Sequence, residues 1–434
     1  MQNTAAGLLF LLLLLYPLAS FAQDEETIRV FRPGFRRIGI AVVDFTTEDV
    51  PAEMGRQITQ VIRDDLEWSE FFRVLPADKH PKGMGGPLPD EQNFAAWKPT
   101  GVTAYIRGIV RADEGERVTV EARLYDVRLE QFRTGKRYNA HARNLRQLAH
   151  RFSNAVTEDL AGVEGIYTTK LAFISDETGL RELFLMDIDG HNREQITRNR
   201  SIAASPRWTP DGKAIMLVSY RRGRPDLYRL DLFARVLDLF WDRGELNQGG
   251  IWSPDGKRAL VSQSSGSNSQ IYLIEDDGNR VRQLTTGAGL NLSPTWSPDG
   301  ERIAFVSDRA GSPQIYLMDS NGNGVRRLTT YGNYNTSPAW SPRGDRIAFV
   351  RRESRGFNVY VVGTDGRDEV LISKEGGANE DPTWSPRGDF LVYASKRAKN
   401  YDLILSDAFG EKRRMLTRTP ANEIQPAWSP RDVP

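Results

Sequence analysis

The chain has 434 residues and a mass of 49.0 kDa, which is too long for one ordinary domain and predicts two or three domains or an array of repeats. Basic residues number 58 and acidic residues 57, so the net charge of +1 gives no general attraction for nucleic acid and argues against such a partner. The absence of cysteine excludes disulfides, thiol catalysis and cysteine-ligated zinc.

The first residues have the composition of a secretory signal peptide. An apolar run covers residues 5–19 and is shorter than the ~20 residues that a membrane-spanning helix needs. The small residues Ser20 and Ala22 precede a polar sequence that begins at Gln23. We therefore expect residues 1–22 to be a signal peptide that is cleaved near Ala22, and the mature protein to be exported. A membrane anchor is the alternative.

Residues 37–162 predict a small α/β domain, because short apolar runs alternate with segments of helical spacing. A turn between two runs of β-forming residues indicates a hairpin. Proline suits the first turn of a helix, and an apolar face follows Pro51. The predicted elements are strands at 38–45, 71–75, 105–112 and 117–127, a helix after Pro51, a helix over 144–160 and a loop over 76–92.

A 44-residue repeat fills residues 163–434. Six tryptophans follow one another at intervals of 44 residues, without insertion or deletion, and each begins a Trp-Ser/Thr-Pro turn. A bulky residue that recurs once per repeat most often fills the space between neighbouring repeats, so we expect the tryptophans to be structural. They are Trp208, Trp252, Trp296, Trp340, Trp384 and Trp428.

Each repeat has the pattern of four antiparallel strands, the size of one propeller blade. Proline and glycine in Ser-Pro-Asp-Gly indicate a turn between the first two strands. The strand Lys170–Ser175 has no tryptophan unit before it, and the last tryptophan unit, at 425–431, has no strand after it. We therefore expect the C-terminal segment to supply the inner strand of the first blade and to close an all-β, six-bladed β-propeller without a free edge.

These motifs resemble those of the TolB family of the Tol-Pal system. The match consists of a signal peptide, an α/β domain with IGIAVVDF and Ala96-Trp97, and six units of the form SPxWSPDG, RIAFVS, QIYLMD and RLT, and it covers almost the whole chain. The resemblance implies a monomeric, non-enzymatic periplasmic interaction protein, peripheral to the outer membrane through its partners. Its propeller would bind the peptidoglycan-associated lipoprotein Pal and its N-terminal segment would bind TolA. The assembly would maintain the outer membrane and its constriction in cell division.

A column of polar residues is the best candidate for a partner site. It recurs every 44 residues, five positions before each tryptophan, and consists of Asn247, Asn291, Asn335, Asn379 and Glu423. These residues precede the innermost strands, so we expect them to ring one mouth of the channel, where amides can donate and accept hydrogen bonds. Local turn formation is the alternative, and the family resemblance favours binding. Arg207, Arg243 and Glu380 are predicted to join this rim.

Residues 23–36 are expected to form the N-terminal segment of the mature protein. The family resemblance implies that this segment binds TolA, and a frayed terminus is the alternative. Its charged residues, which we predict to contact the partner, are Asp24, Glu25, Glu26, Arg29 and Arg32.

The sequence offers little for catalysis. No histidine follows His191, and the chain lacks a G-x-S-x-G motif, a glycine-rich phosphate loop and H-E-x-x-H. The segment 319–324 has only part of a calcium-loop pattern and is expected to be a turn. We predict no catalytic residue, no metal and no cofactor. A propeller-based hydrolase or lyase and a small-ligand-binding propeller are the alternatives to an interaction protein.

Overall fold

A computed structural model of the chain describes residues 37–83, 93–275, 281–287, 289–374, 377–430 and 433. Residues 38–434 belong to one compact unit. The predicted signal peptide and N-terminal segment lie outside the described residues. Across the described ranges, no helix is both long enough and apolar enough to cross a bilayer.

This unit begins with an α/β domain that is built on one sheet. Its elements are β1 (Ile38–Val42), β2 (Thr46–Glu48), α1 (Ala52–Trp68), β3 (Phe72–Val74), α2 (Phe94–Trp97), β4 (Ala104–Ala112), β5 (Arg117–Asp126), β6 (Gln131–His141) and α3 (Leu145–Ala161). The strand order is β3-β1-β4-β5-β6, with β2 beside β4. β1 pairs in parallel with β3 and β4, and β4, β5 and β6 are antiparallel.

Helices α1 and α3 pack on the same face of this sheet. The apolar face of α1 was expected from the sequence, and its side chains meet those of α3 and the strands in one core. The principal helix residues of that core are Ile58, Val61, Ile62, Leu66, Leu148, Phe152 and Val156. Helix α1 begins one residue after Pro51, as predicted, because proline has no N–H to leave unpaired in the first turn.

The long strand β6 was not predicted from the sequence. Its residues, QFRTGKRYNAH, show no alternation of apolar and polar side chains, and most of them are exposed. The strand forms because its backbone pairs with β5 along its whole length, from Gln131 to His141. Pairing of the main chain therefore overrides weak side-chain propensity at this edge of the sheet.

The propeller follows α3 as 24 described strands in groups of four. The first group contains β7 (Lys170–Ser175), β8 (Glu182–Asp187) and β9 (Glu194–Gln195), and its fourth strand is the last of the chain, β30 (Glu423–Trp428). The next two groups are β10 (Ala203–Trp208), β11 (Ala214–Ser219), β12 (Asp226–Asp231), β13 (Val236–Trp241); and β14 (Leu246–Trp252), β15 (Arg258–Ser265), β16 (Asn268–Glu275), β17 (Val281–Gln283). The remaining strands are β18 (Asn291–Trp296), β19 (Arg302–Ser307), β20 (Gln314–Asp319), β21 (Arg326–Arg327); β22 (Asn335–Trp340), β23 (Arg346–Glu353), β24 (Gly356–Gly363), β25 (Val370–Leu371); β26 (Gly377–Trp384), β27 (Phe390–Arg397), β28 (Asn400–Asp407), β29 (Arg413–Met415); and β30 (Glu423–Trp428).

The last strand completes the first group, as the offset of the repeats predicted. β30 pairs antiparallel with β7, and the strand order in this sheet is β30-β7-β8-β9. The inner strands β10, β14, β18, β22, β26 and β30 contact one another in a series that returns to its start. They surround a channel that has two ends. We call the end where these strands begin the asparagine end and the end where they finish the tryptophan end.

A buried ion-pair network joins the α/β domain to the propeller. His150 on α3 binds Asp65 on α1 through Nδ1 (2.8 Å) and Asp189, in the turn after β8, through Nε2 (3.1 Å). Arg146 pairs with the same Asp189. Burial opposes the charged imidazole, but the two carboxylates raise the pKa of His150 to about 10. The imidazole is therefore charged at neutral pH and links the two helices to the propeller.

Other contacts between the domains also lie at the tryptophan end. The guanidinium of Arg387, in the turn after β26, lies 4.9 Å from the ring centroid of Phe71, and it also donates to the carbonyl of Glu164 (3.0 Å) in the segment between α3 and β7. Lys412, in the turn after β28, donates to the carbonyl of Glu67 (3.1 Å). The α/β domain thus contacts turns at one end of the sheets, opposite the asparagine end.

Replacing His150 with glutamine is expected to lower the free energy of unfolding by about 3–5 kcal/mol, because it leaves the buried Asp65 without its cation and removes one of the two cations that pair with Asp189. The folded-state pKa lies above the ordinary 6.5, so the contribution of His150 is complete below pH 6.5 and is lost as the pH rises through about 10. Urea unfolding of both proteins at pH 6 and pH 10 measures the difference. His141→Gln is the control, and an H150Q effect of equal size at both pH values would contradict the assignment.

Candidate binding site in the propeller channel

Each inner strand has a β-bulge at the same position of the repeat. The pairing register shifts there in all six inner strands, and the residue at the bulge has a positive φ. These residues are Ser205, Gly249, Ser293, Ser337, Asp381 and Gln425. Because a bulge interrupts the ladder of hydrogen bonds, the proline that follows in five of the strands costs no ladder bond. All six bulge residues line the channel.

The channel contains a cavity of about 790 Å³ towards its tryptophan end. Serine, threonine, proline and tryptophan form most of its wall, and the charged residues in the wall are Arg207 and Asp381. Burial lowers the pKa of Arg207 and raises that of Asp381, and each shift is opposed by the charge of the other residue. Arg207 was expected on the rim with the asparagines; instead it lies inside the channel, because it follows the bulge and faces the cavity.

The six repeated tryptophans are buried between neighbouring sheets. Each one belongs to a different apolar cluster. The indole of Trp208 donates to the carbonyl of Ala427 (3.0 Å), and that of Trp384 donates to the carbonyl of Ala339 (2.9 Å), in each case on a neighbouring inner strand. Their contacts hold adjacent sheets together at the wall of the channel.

The asparagine column is also buried between sheets. Asn335 donates from Nδ2 to Gln314 Oε1 (2.7 Å) and to the carbonyl of Tyr331 (2.8 Å), and it accepts a hydrogen bond from Arg351 Nε (3.0 Å). Gln314 also accepts a hydrogen bond from Thr329 (2.8 Å). The amide of Asn335 therefore ties an inner strand to the third strand of the preceding sheet.

The same contact recurs at other junctions. Asn291 donates to Gln270 Oε1 (3.2 Å) and Asn379 to Asn358 Oδ1 (3.3 Å), whereas Asn247 reaches a backbone carbonyl, that of Pro225 (3.3 Å). None of the four column asparagines is more than 2% exposed. We expected these amides to be exposed around the mouth. Instead they are buried, and their N–H groups donate to neighbouring sheets.

An acidic residue replaces asparagine at the junction that closes the ring. Glu423 is fully buried, accepts a hydrogen bond from Thr419 (3.0 Å) and pairs with Arg193, a residue of the first sheet. It lies near Asp402, whose pKa is raised by burial and by the charge of Glu423. The second carboxylate oxygen of Glu423 has no hydrogen-bond partner among the described residues.

The other two predicted rim residues differ in exposure. Arg243 is exposed in the loop before β14, with its guanidinium 4.9 Å from the ring centroid of Trp241. Glu380 is half-buried on β26, where burial and the nearby Asp381 raise its pKa. Of the predicted residues, Arg243 therefore offers the most accessible charge at this mouth.

Exposed apolar side chains lie in several loops at the asparagine end of the sheets. They are Leu180, Ile202, Tyr220, Leu290 and Tyr331. The backbone N–H of Tyr220 donates to the carbonyl of Ile202 (3.0 Å), and the carbonyl of Tyr331 accepts from Asn335, so these loops are held beside the inner strands. We call these five residues the apolar rim. The sequence pattern did not predict a role for these five residues, although Ile202 and Leu290 share the repeat position just before the asparagine column.

One group of side chains has the spacing of metal ligands. Atoms of His150, Asp187 and Asp189 lie within 4.8 Å of one another. However, both ring nitrogens of His150 bind carboxylates, and Asp187 accepts from Lys170 (2.7 Å) and Asn192 (2.6 Å). These cationic and amide partners account for the cluster without a metal ion.

An α/β domain followed by a β-propeller with an accessible channel mouth defines a class of two-domain propeller proteins. A family model described as the TolB amino-terminal domain matches residues 26–132, and one described as the TolB beta propeller domain matches residues 157–432. The chain belongs to the TolB family.

Individual relatives carry the same name. The chain is 35% identical over 227 residues to the Tol-Pal system protein TolB of Desulfosudis oleivorans, covering 51% of each chain, and 40% identical over 166 residues to that of Geobacter sulfurreducens, covering 38% of each. The chain thus spans about half the length of the curated relatives it matches. The crystal structure of TolB from Acinetobacter baumannii superposes with a TM-score of 0.78 at 26% identity, over 91% of this chain and 97% of that one.

Replacing Asn335 with alanine is expected to destabilise the protein by about 1–3 kcal/mol, because it removes buried hydrogen bonds to Gln314 and Tyr331 and leaves Arg351 Nε without its acceptor. Chemical denaturation measures the change. Asn323→Ala, in an exposed turn, is the control and should be within about 0.5 kcal/mol of wild type. A neutral N335A substitution would contradict the role given to the asparagine column.

Proposed function

We propose that this chain is a non-enzymatic periplasmic component of the Tol-Pal system, with a six-bladed propeller that binds the lipoprotein Pal and an N-terminal segment that binds TolA. Both parts of the chain match models of one family, and its relatives are named for this system. Linking an outer-membrane lipoprotein to TolA would help to maintain the outer membrane and its constriction in cell division. The family resemblance supports the choice of these two partners.

The observation that carries the proposed Pal site is the apolar rim. Isolated apolar side chains on a surface are ordinary, but several around one channel mouth mark a surface that a partner can cover. The α/β domain contacts the tryptophan end, so among the described residues it leaves the rim uncovered. Binding residues commonly lie on loops that a rigid scaffold positions, and the loops of the rim have this arrangement.

In this proposal the predicted site residues act in two ways. Arg243 and Glu380 contact Pal at the rim, and Arg207 meets any part of Pal that enters the channel. The buried column sets the position of the rim loops without touching Pal, as the bond from Asn335 to the carbonyl of Tyr331 illustrates. The members of the column are Asn247, Asn291, Asn335, Asn379 and Glu423.

The proposed TolA segment, residues 23–36, lies outside the described residues and rests on the family resemblance. Its charged residues Asp24, Glu25, Glu26, Arg29 and Arg32 are proposed to contact TolA. Two partners on one chain can be linked, since a segment that reorganises the junction between the domains would alter the affinity at the other site.

The double variant Tyr331→Ala, Leu290→Ser is expected to bind the periplasmic domain of Pal at least tenfold more weakly. Both side chains are exposed on the rim, and the variant removes their apolar contact surface. Isothermal titration calorimetry measures the affinity. Phe233→Ala is a matched control, because Phe233 is 69% exposed and Tyr331 71%, and Phe233 lies in the turn after β12 at the other end of the sheets. An unchanged affinity of the double variant would place the Pal site elsewhere.

Deleting residues 23–33 is expected to abolish binding of the periplasmic domain of TolA while leaving the melting temperature unchanged. Surface plasmon resonance with immobilised TolA tests this. The same variant should bind Pal with a changed affinity; retained TolA binding would refute the proposed segment, and an identical Pal affinity would refute the linkage.

A further inference from the structure

The sheet of the α/β domain has one face that α1 and α3 do not cover. Helix α2 covers one end of this face, where Trp97, Tyr105 and Tyr125 stack with ring centroids 4.8 and 5.0 Å apart. Beyond Tyr125 the face carries arginines on three neighbouring strands. The face therefore changes from an aromatic, covered end to a charged, open one.

The charged part of this face has more guanidinium groups than carboxylates. We call it the arginine face; its central residues are Arg107, Arg111, Arg123 and Arg137, with Glu48 and Glu121. Glu121 forms salt bridges with three of these arginines, which are Arg111 (3.5 Å), Arg137 (3.4 Å) and Arg123. Arg111 also binds Glu48 (2.7 Å). One carboxylate shared by three cations leaves positive charge available to an anionic partner.

The two arginines nearest the edge of the sheet differ in accessibility, since the side chain of Arg123 is 34% exposed. The side chain of Arg137 is 73% exposed and makes only a long contact with Glu121. Arg123 lies directly opposite Gly135 in the register, so no side chain at 135 covers its guanidinium. A Cβ atom at Gly135 would come within 3.2 Å of the Phe132 ring. The Phe132 ring therefore packs over Gly135, between Arg123 and the edge of the sheet.

Strand β6 itself presents main-chain groups. It is the terminal strand of the sheet, 11 residues long, and it pairs with β5 along one side. An edge of this kind accepts an added strand through backbone hydrogen bonds. Leu129, in the turn before it, and Phe132, near its start, are 53% and 55% exposed and offer apolar contacts.

We propose that the edge of β6 and the arginine face bind an extended, acidic segment of a partner protein, which adds a strand beside β6 and places its carboxylates on Arg137 and Arg123. Backbone pairing gives affinity, and the charges select the acidic partner and its register, since a strand's alternate side chains lie on one face. This site is separate from the channel mouth and does not depend on the partners proposed for it.

The test uses the full mature chain and a fluorescent peptide of alternating threonine and glutamate. Fluorescence polarisation should show binding that weakens at least fivefold between 50 and 300 mM salt. Arg137→Gln together with Arg123→Gln should reduce the affinity at least tenfold, whereas Arg222→Gln, an exposed arginine of the propeller, should leave it unchanged. Circular dichroism checks that each variant is folded.

Two further probes separate the parts of the proposal. A glutamate peptide that is N-methylated at alternate residues should lose binding, because it cannot complete the backbone ladder, and a threonine–lysine peptide should not bind. Equal binding of the methylated peptide would overturn strand addition. Absence of binding to any peptide, or equal retention on anionic phospholipid vesicles, would overturn the proposal and leave the arginines as charges that keep a long edge from self-association.

Discussion

β30 and β7 form an antiparallel pair, and the hydrogen bonds at the end of this pair join residues separated by 259 positions in the chain. The backbone carbonyl of Lys170 accepts a hydrogen bond from the N–H of Ser429 (2.9 Å), and the backbone N–H of Lys170 donates to the Ser429 hydroxyl (2.9 Å). The indole of Trp428 donates to the hydroxyl of Thr169 (2.8 Å). The first sheet has no inner strand without this pair. Its turn after β8 also carries Asp189, so the contact with the α/β domain is built on a sheet that the end of the chain completes.

Polar contacts between sheets then fix the geometry of the channel. The apolar clusters supply most of the burial, but apolar packing is not directional. The bonds of the column to the preceding sheet are directional, and a buried amide that lost its partner would cost more than the bond contributes. Such contacts set the register of one sheet against the next, and the bulges turn one residue per strand towards the axis.

The repeats made the propeller readable from the sequence. Strands such as Arg302–Ser307 and Gln314–Asp319 have the bounds that their alternation predicts, since each is buried on both faces and its pattern recurs. β6 was missed because backbone pairing, and not side-chain pattern, holds it. The candidate site was harder to predict than the strands. The 44-residue spacing located the asparagine column at the start of the inner strands, but spacing does not determine whether an amide faces the channel mouth or a neighbouring sheet. The apolar rim lies in loops, where the repeat is weakest.

The completion of the first sheet by the last strand has a consequence for how the protein is made. A ribosome releases the chain from its N-terminus, at ~5–20 residues per second, so β7–β9 are present for tens of seconds before β30 exists. During that time β7 is a six-residue, mostly apolar strand with an open edge, and an open edge can pair with other chains. A nascent chain that has not yet reached β30 therefore exposes one edge of its first sheet, and that edge is covered only when β30 pairs with β7.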